Sequence, residues 1–179
     1  MKKDVAIIGG SASGLFTAGL LAEQGVDVRV FEASDRIEPQ KRTLIVTDYM
    51  RDILGSLCDD IVFNRIRHFE LFADGRVGVI SLARPDLVIG RASLIRRLAD
   101  EAEKKGAKII TGHRFKDLKP NGKRLNFTLS VNGNGDHTED SAETLVGADG
   151  VFSNVAEQGG WPAPRTVSLV QAVVELPGI

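Results

Sequence analysis

The sequence predicts an α/β fold that opens on a parallel βαβ unit and carries an antiparallel meander further along. Three observations predict it. Asp4–Ile8 is a short, β-branched, nearly all-apolar run, the pattern of a strand buried on both faces. A glycine-rich turn and a helical pattern follow at once, and residues 26–31 then alternate like a second strand. Later in the chain, alternating segments are separated by Asn-Gly turns, which mark hairpins.

The elements follow in order. Residues 13–24 read as a helix with Leu15, Ala18, Leu21 and Ala22 on one face, and Gly25 suits the stop. Residues 33–40 are polar, contain Pro39 and read as a loop. Residues 43–46 suggest a short strand. Residues 48–57 suggest a short helix, with Tyr49, Ile53 and Leu57 at helical spacing. Residues 67–72 and 77–82 flank Asp74-Gly75 as a hairpin, and residues 87–89 read as a further strand. These pieces form an insertion at about 43–90. Residues 92–105 are a second helix with Leu94, Ile95, Leu98 and Ala102 inward, supported by acid-before-base pairs Asp100/Lys104 and Glu101/Lys105, and ended by Gly106. A strand at 108–111 leads to the meander: 115–118, 125–131 and 138–145, with turns at Asn121-Gly122 and Asn132-Gly133. Residues 144–148 then feed into Asp149-Gly150. A turn at 159–164 and an alternating run at 167–176 read as the start of another sheet.

Composition narrows the classes. The chain has 179 residues, 42% hydrophobic and 26% charged, which fits one globular domain with an elaboration. A net charge of −1 gives no general attraction to nucleic acid. Residues 84–124 are basic and residues 132–179 acidic. That pattern fits a solvated helix face beside an acidic turn, or a basic surface near bound phosphates. The lone Cys58 excludes an internal disulfide, and His68, His113 and His137 lack metal-ligand spacing. No Ser/His/Asp triad, HExxH or Cys-x-x-Cys occurs, so no catalytic side chain is named and no metal is expected. No run has the roughly 18 apolar residues that span a bilayer, and the N-terminal apolar run is too short for a secretion signal. The expectation is a soluble, cytoplasmic protein with no transmembrane segment. Peripheral membrane contact needs no such run and stays open, as does oligomeric state.

The chemistry concentrates in Gly9-Gly10-Ser11-Ala12-Ser13-Gly14. A dinucleotide turn needs a first glycine for the strand-to-helix bend, a second for close approach to a pyrophosphate, and a third for helix–strand packing. Gly9 and Gly14 stand at the first and third places, and Ser11 at the second. The helix starting near Ser13 offers free N–H groups to phosphate. Glu32 closes the second strand 18 residues past Gly14, near the roughly 20 expected of an acid that accepts ribose hydroxyls, and it disfavours a 2′-phosphate there.

This unit combines with the string from Arg91 to Leu98, with Gly106-Ala107, and with the Gly-Ala-Asp-Gly string that ends in Asp149-Gly150. Together they resemble the FAD-dependent monooxygenase and geranylgeranyl-reductase-like flavoprotein superfamily, over most of residues 4 to 155. The resemblance implies a glutathione-reductase-type, Rossmann-like FAD-binding fold. It implies that Gly9, Gly10, Ser11, Ser13, Gly14 and Glu32 hold the ADP part of FAD, that Arg42 and Arg91 lie near the cofactor, and that Asp149 and Gly150 line its cleft. It further implies flavin-mediated hydride or oxygen transfer to a small or lipid-like organic substrate, with NAD(P)H as donor. Residues 42–46 lack the Cys-x-Gly pattern of many geranylgeranyl reductases, which argues against a lipid reductase. The family's later Gly-Asp motif has no counterpart in the chain. The expectation is therefore a FAD-binding domain at 1–155 and the start of a truncated substrate domain at 156–179. The rival readings are a non-catalytic nucleotide-binding fragment and a NAD-only dehydrogenase, the latter disfavoured by the meander.

Overall fold

The computed structural model describes residues 3–37, 42–58, 60–131, 135–168 and 170. Among them run β1 (Asp4–Ile8), α1 (Ala12–Glu23), β2 (Asp27–Phe31), β3 (Thr43–Val46), α2 (Tyr49–Leu54), β4 (Val62–Ala73), β5 (Arg76–Gly90) and α3 (Arg91–Lys104). They continue with β6 (Lys108–Ile110), β7 (His113–Asn121), β8 (Arg124–Val131), β9 (His137–Ala142), β10 (Thr144–Gly147) and α4 (Asn154–Gln158). A 3-10 turn at Gly55–Cys58 follows α2.

Four strands form a parallel sheet in the order β10-β1-β2-β6. Side chains alternate across it, and each face has its own cover. Val5, Ile7, Val28 and Val30 pack under α1 and α3 with Leu15, Ala18, Leu94, Leu98 and Ala102. Ala6, Ile8 and Phe31 pack on the β7-β8-β9 meander with Phe115, Phe127, Leu129 and Ala142. This double burial explains why β1 reads as an unbroken apolar run. A second antiparallel sheet, β3-β5-β4, carries the insertion.

Three elements depart from the sequence reading. Residues 87–89 are not a separate strand but the end of β5. The β4/β5 register passes from Ile66↔Asp86 to His68↔Ser81, so residues 82–85 bulge from the ladder. Pro85, which has no N–H to give a ladder, sits in that bulge. Residues 138–145 divide into β9 in the meander and β10 in the parallel sheet, with Glu143 at the corner. Alternation of polarity is the same in both sheets and does not mark the crossing. Helix α4 was not anticipated. Its five residues are too few to show a helical period. The expected turn at Asn132-Gly133, Pro39, and most of the expected strand at 167–176 lie outside the described residues. Residues 161–168 and 170 have no regular structure. No helix among the described residues is long and apolar enough to cross a membrane.

An ionic cluster pins the meander to the start of β1. Asp4 accepts from Arg29 at 2.8 Å and from Arg124. Arg29 also pairs with Asp140 and donates to the Ser141 carbonyl at 2.9 Å. Burial alone would raise the Asp4 pKa, but the hydrogen bonds from Arg124 and Arg29 outweigh it and hold the carboxyl below its usual value. A carboxylate with a depressed folded pKa contributes stability above its unfolded value, near 3.9, and that contribution is lost as pH falls through the folded value. Asp4→Asn should therefore lose about 1–2 kcal/mol at pH 7, with Arg124 discounted for its exposure. It should also narrow the stability gap between pH 7 and pH 3. Urea melts at the two pH values check this, and an unchanged gap would remove Asp4 from the acid response.

Candidate functional site

Four parallel strands direct their C-terminal ends, and the loops that follow, to one edge of the sheet. The turn after β1 supplies Gly9, Gly10 and Ser11, the end of β2 supplies Glu32, and the loop after β10 supplies Asp149 and Gly150. They line one cleft of about 580 Å³, together with Arg91 from α3.

The glycines are set by space. Gly9 has φ of +110°, and a Cβ there would lie 2.3 Å from the Ala148 carbonyl oxygen. The neighbouring ladder bonds are tight: Gly9 N–H donates to Phe31 at 2.8 Å and Ala148 N–H to Ile8 at 2.7 Å. A Cβ on Gly14 would lie 2.1 Å from the Gly9 carbonyl oxygen and 3.1 Å from the Ala148 Cβ. Helix α1 thus crosses its own turn at backbone contact, as the third-glycine argument requires.

Ser11, at the place of the second glycine, is the N-cap of α1. Its hydroxyl accepts from the Gly14 N–H at 3.3 Å, donates to the Ala148 carbonyl at 3.1 Å and lies 3.0 Å from the Ser13 hydroxyl. A serine before a helix is a capping signal in its own right. Ser13 is exposed and Gly14 buried. The N–H groups of Ala12 and Ser13 open the helix and have no carbonyl a turn behind them. Glu32 accepts from the Gly10 N–H at 2.7 Å and from the Ser34 N–H at 2.8 Å.

The Asp149 carboxylate faces α4. It accepts from the Ser153 hydroxyl, from Asn154 N–H at 2.8 Å and from Val155 N–H at 3.2 Å. Gly150 has φ of +96°, which turns the chain into that helix. At the other end of α4, Gln158 accepts from the Leu118 N–H and donates to the Lys116 carbonyl, both at 2.7 Å. The helix therefore braces the Asp149 loop against β7.

Arg91 opens α3, and its N–H donates to the Arg42 carbonyl at 3.1 Å. Burial first, and then the charge of Arg42, lower the Arg91 pKa. Among the described residues no carboxylate pairs with either guanidinium. Arg42 is exposed and lies outside the cleft lining, beside Arg91. Sequence reasoning missed several lining residues: Arg36, His113, Arg114, Lys116, Phe152 and Asn154. His113, which lacks metal-ligand spacing in the sequence, has its Nδ1 2.6 Å from the Thr111 carbonyl and its ring tilted against Phe31. The signal lay in the basic stretch at 84–124. Arg91, Arg114 and Lys116 come from it and, with Arg36, outnumber Glu32 and Asp149 in the lining. Such an excess of cations favours an anionic ligand. No group of three or more His, Cys, Asp or Glu able to hold a metal ion occurs among the described residues.

No curated protein sequence matches this chain. Solved structures do. The chain is similar to PyrE3, a Diels-Alderase in the biosynthesis of pyrroindomycins, at 25% identity and a TM-score of 0.68, over 88% of this chain and 34% of that one. It is similar to OxyS anhydrotetracycline hydroxylase from Streptomyces rimosus at 22% identity and a TM-score of 0.75, over 89% and 34%. It is similar to p-nitrophenol 4-monooxygenase PnpA from Pseudomonas putida DLL-E4 at 18% identity and a TM-score of 0.73, over 89% and 44%. The chain thus spans about a third of the first two and less than half of the third. Residues 2–175 match the FAD binding domain family, and the chain belongs to that family.

Proposed function

We propose that the cleft holds the ADP part of FAD, and that the chain is the cofactor-binding part of a flavin-dependent oxidoreductase with a glutathione-reductase-type fold. The observation that carries this reading is the convergence of a Cβ-intolerant glycine turn, an acid at the end of β2 and a surplus of cations on one cleft. The residues fit the group. Gly9 and Gly14 keep the turn close to the helix, so that the N–H groups of Ser11, Ala12 and Ser13 face a pyrophosphate. Glu32 has lone pairs left for ribose hydroxyls. Arg91, with Arg42 beside it, supplies charge that no carboxylate among the described residues satisfies. Asp149 and Gly150 shape the opposite wall through α4.

FAD, when bound, supplies hydride or oxygen transfer, and the protein supplies binding, orientation and charge. We assign NAD(P)H as donor and a small or lipid-like organic molecule as substrate. Residues 1–155, with the rest of α4, form the FAD-binding domain in this proposal, and the following residues begin a substrate domain.

Calorimetry with FAD and ADP tests the reading. Glu32→Ala should lose about 1–3 kcal/mol of binding, the scale of hydrogen bonds to a charged group. Equal affinities would remove Glu32 from the site, and a protein with no affinity for either ligand would sink the proposal. A second reading, cofactor binding without redox turnover, draws support from the similarity to PyrE3, a Diels-Alderase. NAD(P)H oxidation by the FAD-loaded protein separates the two.

A further inference from the structure

We infer that Glu32 is also a positioning residue, which straps the glycine turn into shape before any ligand arrives; this rests on the nucleotide reading of the cleft only for its effect on binding. The two carboxylate oxygens divide their work. One accepts the N–H of Gly10, in the turn after β1, and the other accepts the N–H of Ser34, in the loop after β2. One side chain therefore ties together the two loops that border the cleft. The approach is close: a Cβ on Gly10 would lie 3.1 Å from a Glu32 oxygen and 3.2 Å from the Glu32 Cβ. The Gly10 N–H is thereby engaged within the protein. The Gly14 N–H is engaged too, by the Ser11 hydroxyl. The donors left for a phosphate are the N–H groups of Ser11, Ala12 and Ser13, and not that of Gly10.

A carboxylate suits the strap because it accepts at both oxygens and still has lone pairs for a third partner. A glutamine has one accepting oxygen, and its NH₂ would meet the second N–H donor to donor. Glu32→Gln thus keeps the size of the side chain and its ability to bond ribose hydroxyls, but breaks half of the strap.

Amide hydrogen exchange on the ligand-free full chain reads the strap directly. In Glu32→Ala the Gly10 and Ser34 amides should both exchange about tenfold faster or more than in the wild type, and in Glu32→Gln at least one of the two should, with the Ala12 and Ser13 amides unchanged. Inorganic pyrophosphate, which has no ribose, gives the second readout. Its affinity should fall about tenfold in Glu32→Gln. Loss of a nearby negative charge would by itself tighten pyrophosphate, so the sign separates the strap from simple electrostatics. A Gly10 amide with the same exchange rate in wild type and variants overturns the inference, as does unchanged or tighter pyrophosphate binding in Glu32→Gln. Should Gly10 be protected by Glu32 while the wild type binds no pyrophosphate, the strap stands and the nucleotide reading fails.

Discussion

Gly14→Val should abolish ADP binding and lower stability by about 3 kcal/mol or more, at the upper end for an overpacked site. The clash begins at the first carbon. A Cβ at this position stands 2.1 Å from the Gly9 carbonyl oxygen, which belongs to the backbone and cannot rotate away. Ala148, 3.1 Å off on the other side, blocks a shift of α1 in that direction. Relief requires α1 to lift from the turn, and that movement shifts Gly9, Gly10 and Ser11, which line the cleft. Even Gly14→Ala should carry most of the effect, since the branches of valine only add to it. Urea denaturation and ADP calorimetry check both variants. A valine variant with wild-type midpoint and affinity would refute the backbone contact.

The second large effect is expected at Asp149. Its carboxylate takes three donors from the first turn of α4, and a negative charge there also suits the positive end of a helix. Asp149→Ala leaves the Asn154 and Val155 N–H groups without their acceptor, and should lose about 2–3 kcal/mol. The damage should spread along the brace. Once α4 frays, Gln158 no longer holds the Lys116 and Leu118 backbone groups, and the β7 side of the cleft loosens. ADP affinity should then fall about tenfold, because the cleft wall that Asp149 holds through α4 loosens. Asp149→Asn retains an accepting oxygen, which caps helices well, and should restore most of both losses. Thermal melts and calorimetry on the pair provide the check, and an alanine variant equal to the asparagine one would show that the cap contributes nothing.

The βαβ unit was legible because each of its signals is local. Periodicity changes from strand to helix at the glycines; Gly9 and Gly14 stand where a Cβ would meet backbone, and Gly25 takes the left-handed φ that ends α1. Glu32 was legible by its distance along the chain. Ser11 shows the limit of reading by template. Against a glycine pattern it looks like a departure, yet its hydroxyl caps α1 and reaches Ala148, which follows a strand far along the chain. The strand at 138–145 hid a change of sheet, because polarity alternates alike in both. Arg114 and Lys116 were invisible as cleft residues for a tertiary reason. They reach the site only because β6 places the start of β7 beside the end of β2, and nothing local to them encodes that neighbour.

The pairing of β1 with β10 joins Val5 to Thr144, so β1 is completed by a strand about 140 residues further along the chain. Contacts of such long sequence separation are slow to form, and a chain that grows from its N-terminus cannot form them early. At ordinary rates of translation the strand from Asp4 to Ile8 waits on the order of ten seconds for its partner. During that interval Gly9 and Gly14 have no Ala148 against which to pack, and one edge of an apolar strand has no partner. A nascent chain that has not reached β10 holds at most β1, β2 and β6 of this sheet, with half a cleft and an apolar edge on β1 open to a chaperone.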